Sequence, residues 1–310
     1  DKSFTYVIKE YVGTEHYLPA RLGQIKAREA KVKRKYPVNR DSIRYLLTEY
    51  ESFISKYPEN SSAHEAQLNE SALFAYFLDE KDSAIVKLNK LIQNPRASLY
   101  LKSKAKLELG DIYLLKEEPW ESTLLYSQVE RMQKDAPIGY EAKLKNAKLS
   151  YFKGEFALAQ EHLDILKQAT TREIANDAMD LSMRINENLG FDSVGTALKK
   201  FATVELLLQR NKTDEANQQL KVFVEDQANA TSPMLDDFYW LQANLEMKQG
   251  HFQPAIAILQ NIIDKFGEDI LSDDALFLQA DIYQNQLKNN DKAMEIYHDF
   301  LTKYPGSVYV

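Results

Sequence analysis

The sequence predicts an all-α chain of antiparallel helix pairs stacked into a solenoid, and three observations carry that expectation. Apolar residues recur at spacings of three and four almost throughout, which is the helical period. Glycine and proline are few, 10 and 9 among 310 residues, and they gather at the boundaries between periodic segments. One set of distances is also counted repeatedly. A small residue is followed about twelve positions later by a second small residue, then by large apolar residues four and seven beyond it, then by a breaker.

Taken in order, residues 1–20 read as an arm or as the end of a preceding helix, with a trace of strand-like alternation in "SFTYVI". A solenoid over 21–310 follows, its units starting near 24, 65, 103, 140, 197, 236 and 273. The first shows only its second half, Leu46, Tyr50, Phe53 and Pro58. Ala72 leads to Ala84, Leu88, Leu91 and Pro95; Gly110 leads to Ser122, Tyr126 and Val129, with Pro137 late. Ala147 leads to Ala159, Leu163 and Leu166. A stretch of about 174–196 has room for extra helix but matches poorly, so one unit there is degenerate. Val204, bulky for its place, leads to Ala216, Leu220 and Phe223. Ala243 leads to Ala255, Leu259, Ile262 and Gly267, and Ala280 leads, with one extra residue, to Ala293, Tyr297, Phe300 and Pro305. The total is about fifteen helices. Ser62 with Glu65 and Thr170 with Glu173 have capping-box spacing, while Glu118-Pro119 and Ser232-Pro233 place proline at a first helical position.

The repeated distances have a packing reason. Two antiparallel helices approach closely only where side chains are small, because the residues at the contact set the interaxial distance. The larger residues four and seven further on share one face and fill the groove toward the next pair. A helix of about 14 residues is marginal alone, and a pair cannot hide both of its faces. Stacking is therefore obligatory.

Small–aromatic–breaker spacing in "YWLQANLEMKQGHFQPAIAIL" and in the endings "YESFISKYPENS" and "YHDFLTKYPGS" resembles the tetratricopeptide repeat, over roughly Arg21 to Val310. The endings are similar to repeats of envelope proteins of Gram-negative bacteria, particularly uncharacterised chains of the Bacteroidetes type. The resemblance implies a right-handed superhelix, a concave groove that binds a partner's peptide or segment, and a periplasmic or outer-membrane-associated location. Families that grip a terminal carboxylate do so with a Lys/Asn/Arg set on adjacent first helices. Here those places hold Leu107, Asp111, Leu144 and Trp240, so that clamp does not carry over.

No catalytic constellation is legible, so no enzyme activity and no cofactor are expected. His16, His64, His162, His251 and His298 are scattered, and no pair sits three or four apart as a helical metal site requires. There is no phosphate loop, dinucleotide fingerprint or nucleophile elbow. The absence of cysteine excludes disulfides and thiolate chemistry, and fits an extracytoplasmic protein. Carboxylates as in "LDDF" fall at helix starts, where they favour the dipole. A net charge of −7 argues against nucleic acid and anionic lipid, and no apolar run is long enough for a membrane span. The basic run "KAREAKVKRK", Lys26 to Lys35, reads as a solvated helix face or, failing that, a patch for an acidic partner. The chain opens at Asp1 and stops in "YPGSVYV", which reads as a piece of something longer.

The first helix of each pair should line the concave side, exposing what does not face its partner. On the spacing above, the candidates for partner binding are Tyr76, Asp111, Lys148, Tyr151, Glu205, Trp240, Asn244 and Asp281. Phe77, Leu114, Leu144, Phe201 and Phe277 share that side, with burial between units as the rival reading. Two other roles remain open: a structural spacer or self-assembly module joined through its end repeats, and a peptidoglycan- or glycan-associated binder.

Overall fold

The computed structural model describes residues 2–34, 38–168, 171–191 and 194–310, and among them it holds sixteen α-helices and no strand. They are α1 (Lys2–Glu10), α2 (Tyr17–Lys33), α3 (Arg40–Lys56), α4 (Ser61–Phe77), α5 (Lys81–Gln93), α6 (Leu99–Leu115), α7 (Pro119–Met132) and α8 (Pro137–Phe152). There follow α9 (Phe156–Leu166), α10 (Arg172–Phe191), α11 (Thr196–Gln209), α12 (Thr213–Glu225), α13 (Leu235–Gln249), α14 (Phe252–Lys265), α15 (Ile270–Asp281) and α16 (Asn290–Lys303). From α1 to α7 each helix packs on the next in sequence, and from α11 to α16 each does so again. The chain forms two compact units, Asp1–Leu149 with Glu161–Met179, and Ser150–Gln160 with Asp180–Val310.

The small-residue register is the organising contact. Ala84, Ala147, Ala159, Ala216, Ala243, Ala255 and Ala280 are wholly enclosed. Ser122 is too, and its Oγ donates to the carbonyl of Gly110 at 2.7 Å, which ties α7 to α6. Gly110 is glycine for a visible reason: a Cβ there would overlap the buried ring of Tyr126. In α4 the expected Ala72 is only half-buried, and Ser71 and Ala75 to either side of it are the enclosed small residues at that level. In α16 Ile296 fills the core beside Phe300, and Tyr297 lies half-buried against Phe277 with ring centroids 5.6 Å apart.

A second repeat runs beneath the first, in the backbone of the turn inside each pair. Asp79, Glu117, Gly154, Asn211, Gly250 and Lys288 all have positive φ, between 56° and 82°. Each stands five positions before the small residue that opens the second helix. The next N–H donates back into the first helix: Glu118 to Tyr113 O, Glu155 to Ser150 O, Lys212 to Leu207 O and His251 to Glu246 O, all at 2.9 Å. These are left-handed helix stops that satisfy otherwise orphaned carbonyls. The extra residue between Ala280 and Ala293 is absorbed just before the last of them, where Ile282–Gln286 forms one π-helical turn. A π turn takes up one inserted residue without breaking the helix.

Several local expectations are corrected. "SFTYVI" lies in a helix, because Phe4 packs onto Gly23 of α2 and so holds α1 to it. Asn60, not Ser62, caps α4, its Oδ1 accepting from Ser62 N at 2.9 Å. Pro233 precedes α13, which opens at Leu235, whereas Pro119 does open α7. Pro137 opens α8 instead of closing the pair before it. Thr170, of the second capping box, and Lys35, the end of the basic run, lie outside the described residues. The stretch 174–196 is mostly one 20-residue helix, α10.

Candidate functional site

Within each unit the first helices of successive pairs touch one another, α2 with α4, α4 with α6, and α13 with α15. The second helices show no comparable contact among the described residues. The first helices are therefore the inner, more closely spaced layer.

Most of the sequence candidates in this layer join one first helix to the next. In the first unit Lys26 of α2 meets Glu65 of α4 at 2.8 Å, and Lys33 Nζ lies 4.8 Å from the ring centre of Phe77. Tyr76 of α4 is partly buried beside Glu108 and Asp111 of α6; burial first, then those two carboxylates, raise its phenol pKa. Asp111 accepts from Tyr126 Oη at 2.6 Å and from Lys145 Nζ at 2.8 Å. Burial works against the charge on Lys145, yet the pairing with Asp111 outweighs it and the ammonium is held above its usual range. Lys148 of α8 meets Asp177 of α10 at 3.3 Å. In the second unit Arg184 of α10 donates to Glu205 of α11 at 3.0 Å and covers the Phe201 ring at 5.3 Å. Tyr151 is buried and sits in the field of Glu205 and Arg184.

Trp240 is half-buried, and its carbonyl accepts from Asn244 Nδ2 at 2.8 Å, so that amide folds back on its own helix. Asp281 accepts from Asn285 at 2.6 Å, within the same chain turn. Leu114, Leu144 and Phe201 are buried, and Phe277 stacks on Tyr309 at 4.2 Å. Sequence reasoning missed Glu108, Lys145, Arg184 and Asp237, the partners that complete these links. Asp237 is the most perturbed: burial, then Asp236, push its carboxyl up to about 7 against the opposing pull of Arg184.

Away from these links the inner layer opens. In the first unit a groove of about 810 Å³ runs along the starts of α2, α4 and α6, with Phe4 of α1 at one end. Its floor includes Leu22, Leu68 and Leu101. Its rim carries the Lys26–Glu65 pair and Lys104, whose Nζ stands 4.9 Å from the Tyr100 ring centre. Asn69 lines it too, its amide nitrogen enclosed beside the buried Tyr50 hydroxyl. None of the eight sequence candidates lies in this groove. They were placed by distance from the closest helix approach, and the groove opens two turns away from it.

The described residues hold no group of three His, Asp, Glu or Cys side chains able to bind a metal ion, and no described helix is long and apolar enough to cross a membrane.

A tetratricopeptide-repeat family model matches residues 274–307, the α15–α16 pair. No curated protein matches the sequence. Among matching solved structures is a tetratricopeptide repeat protein from Parabacteroides merdae, 12% identical over 93% of this chain and 94% of that one, with a TM-score of 0.38. The family match is to the α15–α16 pair, and the recurring small residues carry a similar helix pairing through the earlier pairs.

Proposed function

We propose that this chain is a protein-interaction scaffold that docks a peptide or helical segment of a partner in the inner groove of its first unit. Tandem repeats of this type serve in general as non-catalytic protein-binding scaffolds. The carrying observation is the groove itself, with an apolar floor, exposed Tyr100, and the polar side chains of Asn69 and Lys104 along it. An apolar base with a few fixed polar donors is what orients a bound chain. The test is selection of displayed random peptides on the whole chain, followed by affinity measurement with Leu68→Arg and Asn69→Ala. The selected peptides should lose at least about tenfold in affinity to either variant. Peptides that bind both variants as well as the parent refute this groove, and loss of binding with Trp240→Ala and Asn244→Ala would move the site to the second unit.

The same proposal locates the scaffold in the bacterial envelope, on the likeness of the "YP.S" repeat endings and the lack of cysteine. Cell fractionation checks it; recovery of the intact chain in the cytosol would count against it.

A further inference from the structure

We infer that the second unit carries a separate pocket for an apolar or aromatic group that bears a carboxylate. Between α11, α12 and α13 lies a cleft of about 430 Å³, within the size range of small-ligand sites. Its base is the side chains of Val204, Val222, Phe223 and Phe238. The two phenyl rings are stacked, centroids 3.6 Å apart and 7° from parallel, so the base is rigid. Val222 leaves 64% of its surface open, an apolar wall already uncovered.

The charges around this base are unequal in what they have to meet. Glu215 is paired with Lys212 at 3.4 Å, and Asp226 Oδ1 accepts the backbone N–H of Ala228 at 2.9 Å. Lys200 has no carboxylate partner among the described residues; its Nζ rests 5.4 Å from the Phe223 ring centre, held by the ring face alone. The same lysine and Phe223 also line a neighbouring cleft of about 190 Å³. Lys200 thus stands where the two clefts adjoin, an ammonium above an aromatic floor in a chain whose net charge is −7. A carboxylate with an apolar body satisfies both parts, the anion replacing the weaker ring contact of Lys200 and the body covering Val222 and Phe223. Gln218 and Gln219 on the rim supply amides for any adjoining peptide group.

Two sources share this chemistry, the end of a polypeptide that finishes in an apolar residue and a free aryl or alkyl acid. The test is calorimetric titration of the whole chain with acetyl-Gly-Gly-Leu-Phe as the free acid, the same peptide as its carboxamide, and 3-phenylpropionate. An acid form should bind, and the carboxamide should bind at least about tenfold more weakly than the peptide acid. Lys200→Gln should bring the acid down to the level of the carboxamide without moving the thermal melt, while Lys221→Gln should change nothing. Peptide acid bound far more tightly than 3-phenylpropionate marks a polypeptide end as the source; equal binding marks a free acid. Equal affinity for acid and carboxamide, an unaltered Lys200→Gln, or no binding by any probe at millimolar concentration overturns the inference.

Discussion

The left-handed turn inside each helix pair makes a prediction whose size can be worked from the backbone alone. Gly250 sits at φ 82° between α13 and α14, and a Cβ added there would meet nothing within 4 Å. Gly250→Ala is therefore free of steric confusion and measures only the backbone cost. An L-residue in this region costs about 1–2 kcal/mol, and alanine returns about 0.5–1 kcal/mol by stiffening the unfolded chain. The net loss should be about 1 kcal/mol. Lys288 occupies the equivalent turn at φ 56° with that penalty built in, so Lys288→Gly should gain about as much. Asn211, at φ 58°, is a residue type that tolerates the conformation, and Asn211→Gly should gain less than half of that. Urea melts followed by circular dichroism check the series through the midpoint at constant slope. A neutral Gly250→Ala together with no gain from Lys288→Gly would mean that these turns are not left-handed in solution, and the shared turn geometry would fail with them.

Other expectations follow from packing and titration. Ala255→Leu and Ala293→Leu should each cost about 1–3 kcal/mol by forcing a helix pair apart, while Lys248→Ala on the exposed face should cost little; equal losses in thermal melts would break the register. Ser122→Ala removes a buried hydroxyl bond to the Gly110 carbonyl and should cost about 1 kcal/mol, read by the same melts. Asp237 has its carboxyl pushed up to about 7 in the fold, amid Asp236, Glu205 and Asp269 and opposed by Arg184. The folded state then holds more protons than the unfolded chain between about pH 4 and 7, so stability falls across that window as pH rises. Asp237→Asn should remove this loss, gaining of order 1–3 kcal/mol at pH 8 and nothing near pH 4. Melts across that range decide it.

How far the sequence carried depended on the kind of constraint. Close helix approach is a steric demand that Ala, Gly and Ser meet most readily, so Ala243 with Ala255 and Gly110 with Ser122 announce themselves by spacing. Bulky Val204 is tolerated in the same role, buried to 1%. The turn was invisible because just two of its six positions are glycine; the other four hide the same φ under Asp, Glu, Asn and Lys. The extra residue before Ala293 was countable, but counting does not distinguish a longer loop from a π turn. Asp111 and Glu205 stand out in the sequence only as polar residues of a first helix. That their charge is taken up by Lys145 and Arg184 on neighbouring helices depends on how far the next helix is rotated, and no single-helix pattern carries that angle.

That pairing changes what the inner layer can offer a partner. A ligand charge that displaced Lys145 from Asp111 would exchange one half-buried ion pair for another, with desolvation on both sides, and the exchange is close to neutral. The links are better suited to holding one first helix against the next. Lys145→Ala separates the two roles. It leaves Asp111 held by Tyr126 alone in a partly enclosed place, and should lower stability by about 1–3 kcal/mol in denaturant melts. Peptides selected on the groove at Asn69 should still bind it within about threefold when the variant is folded, since none of the residues removed touches that groove. Full stability with lost binding would be the opposite pattern. It would return Asp111 and Lys145 to the contact surface and require the partner to run along the middle of the first helices instead of across their starts.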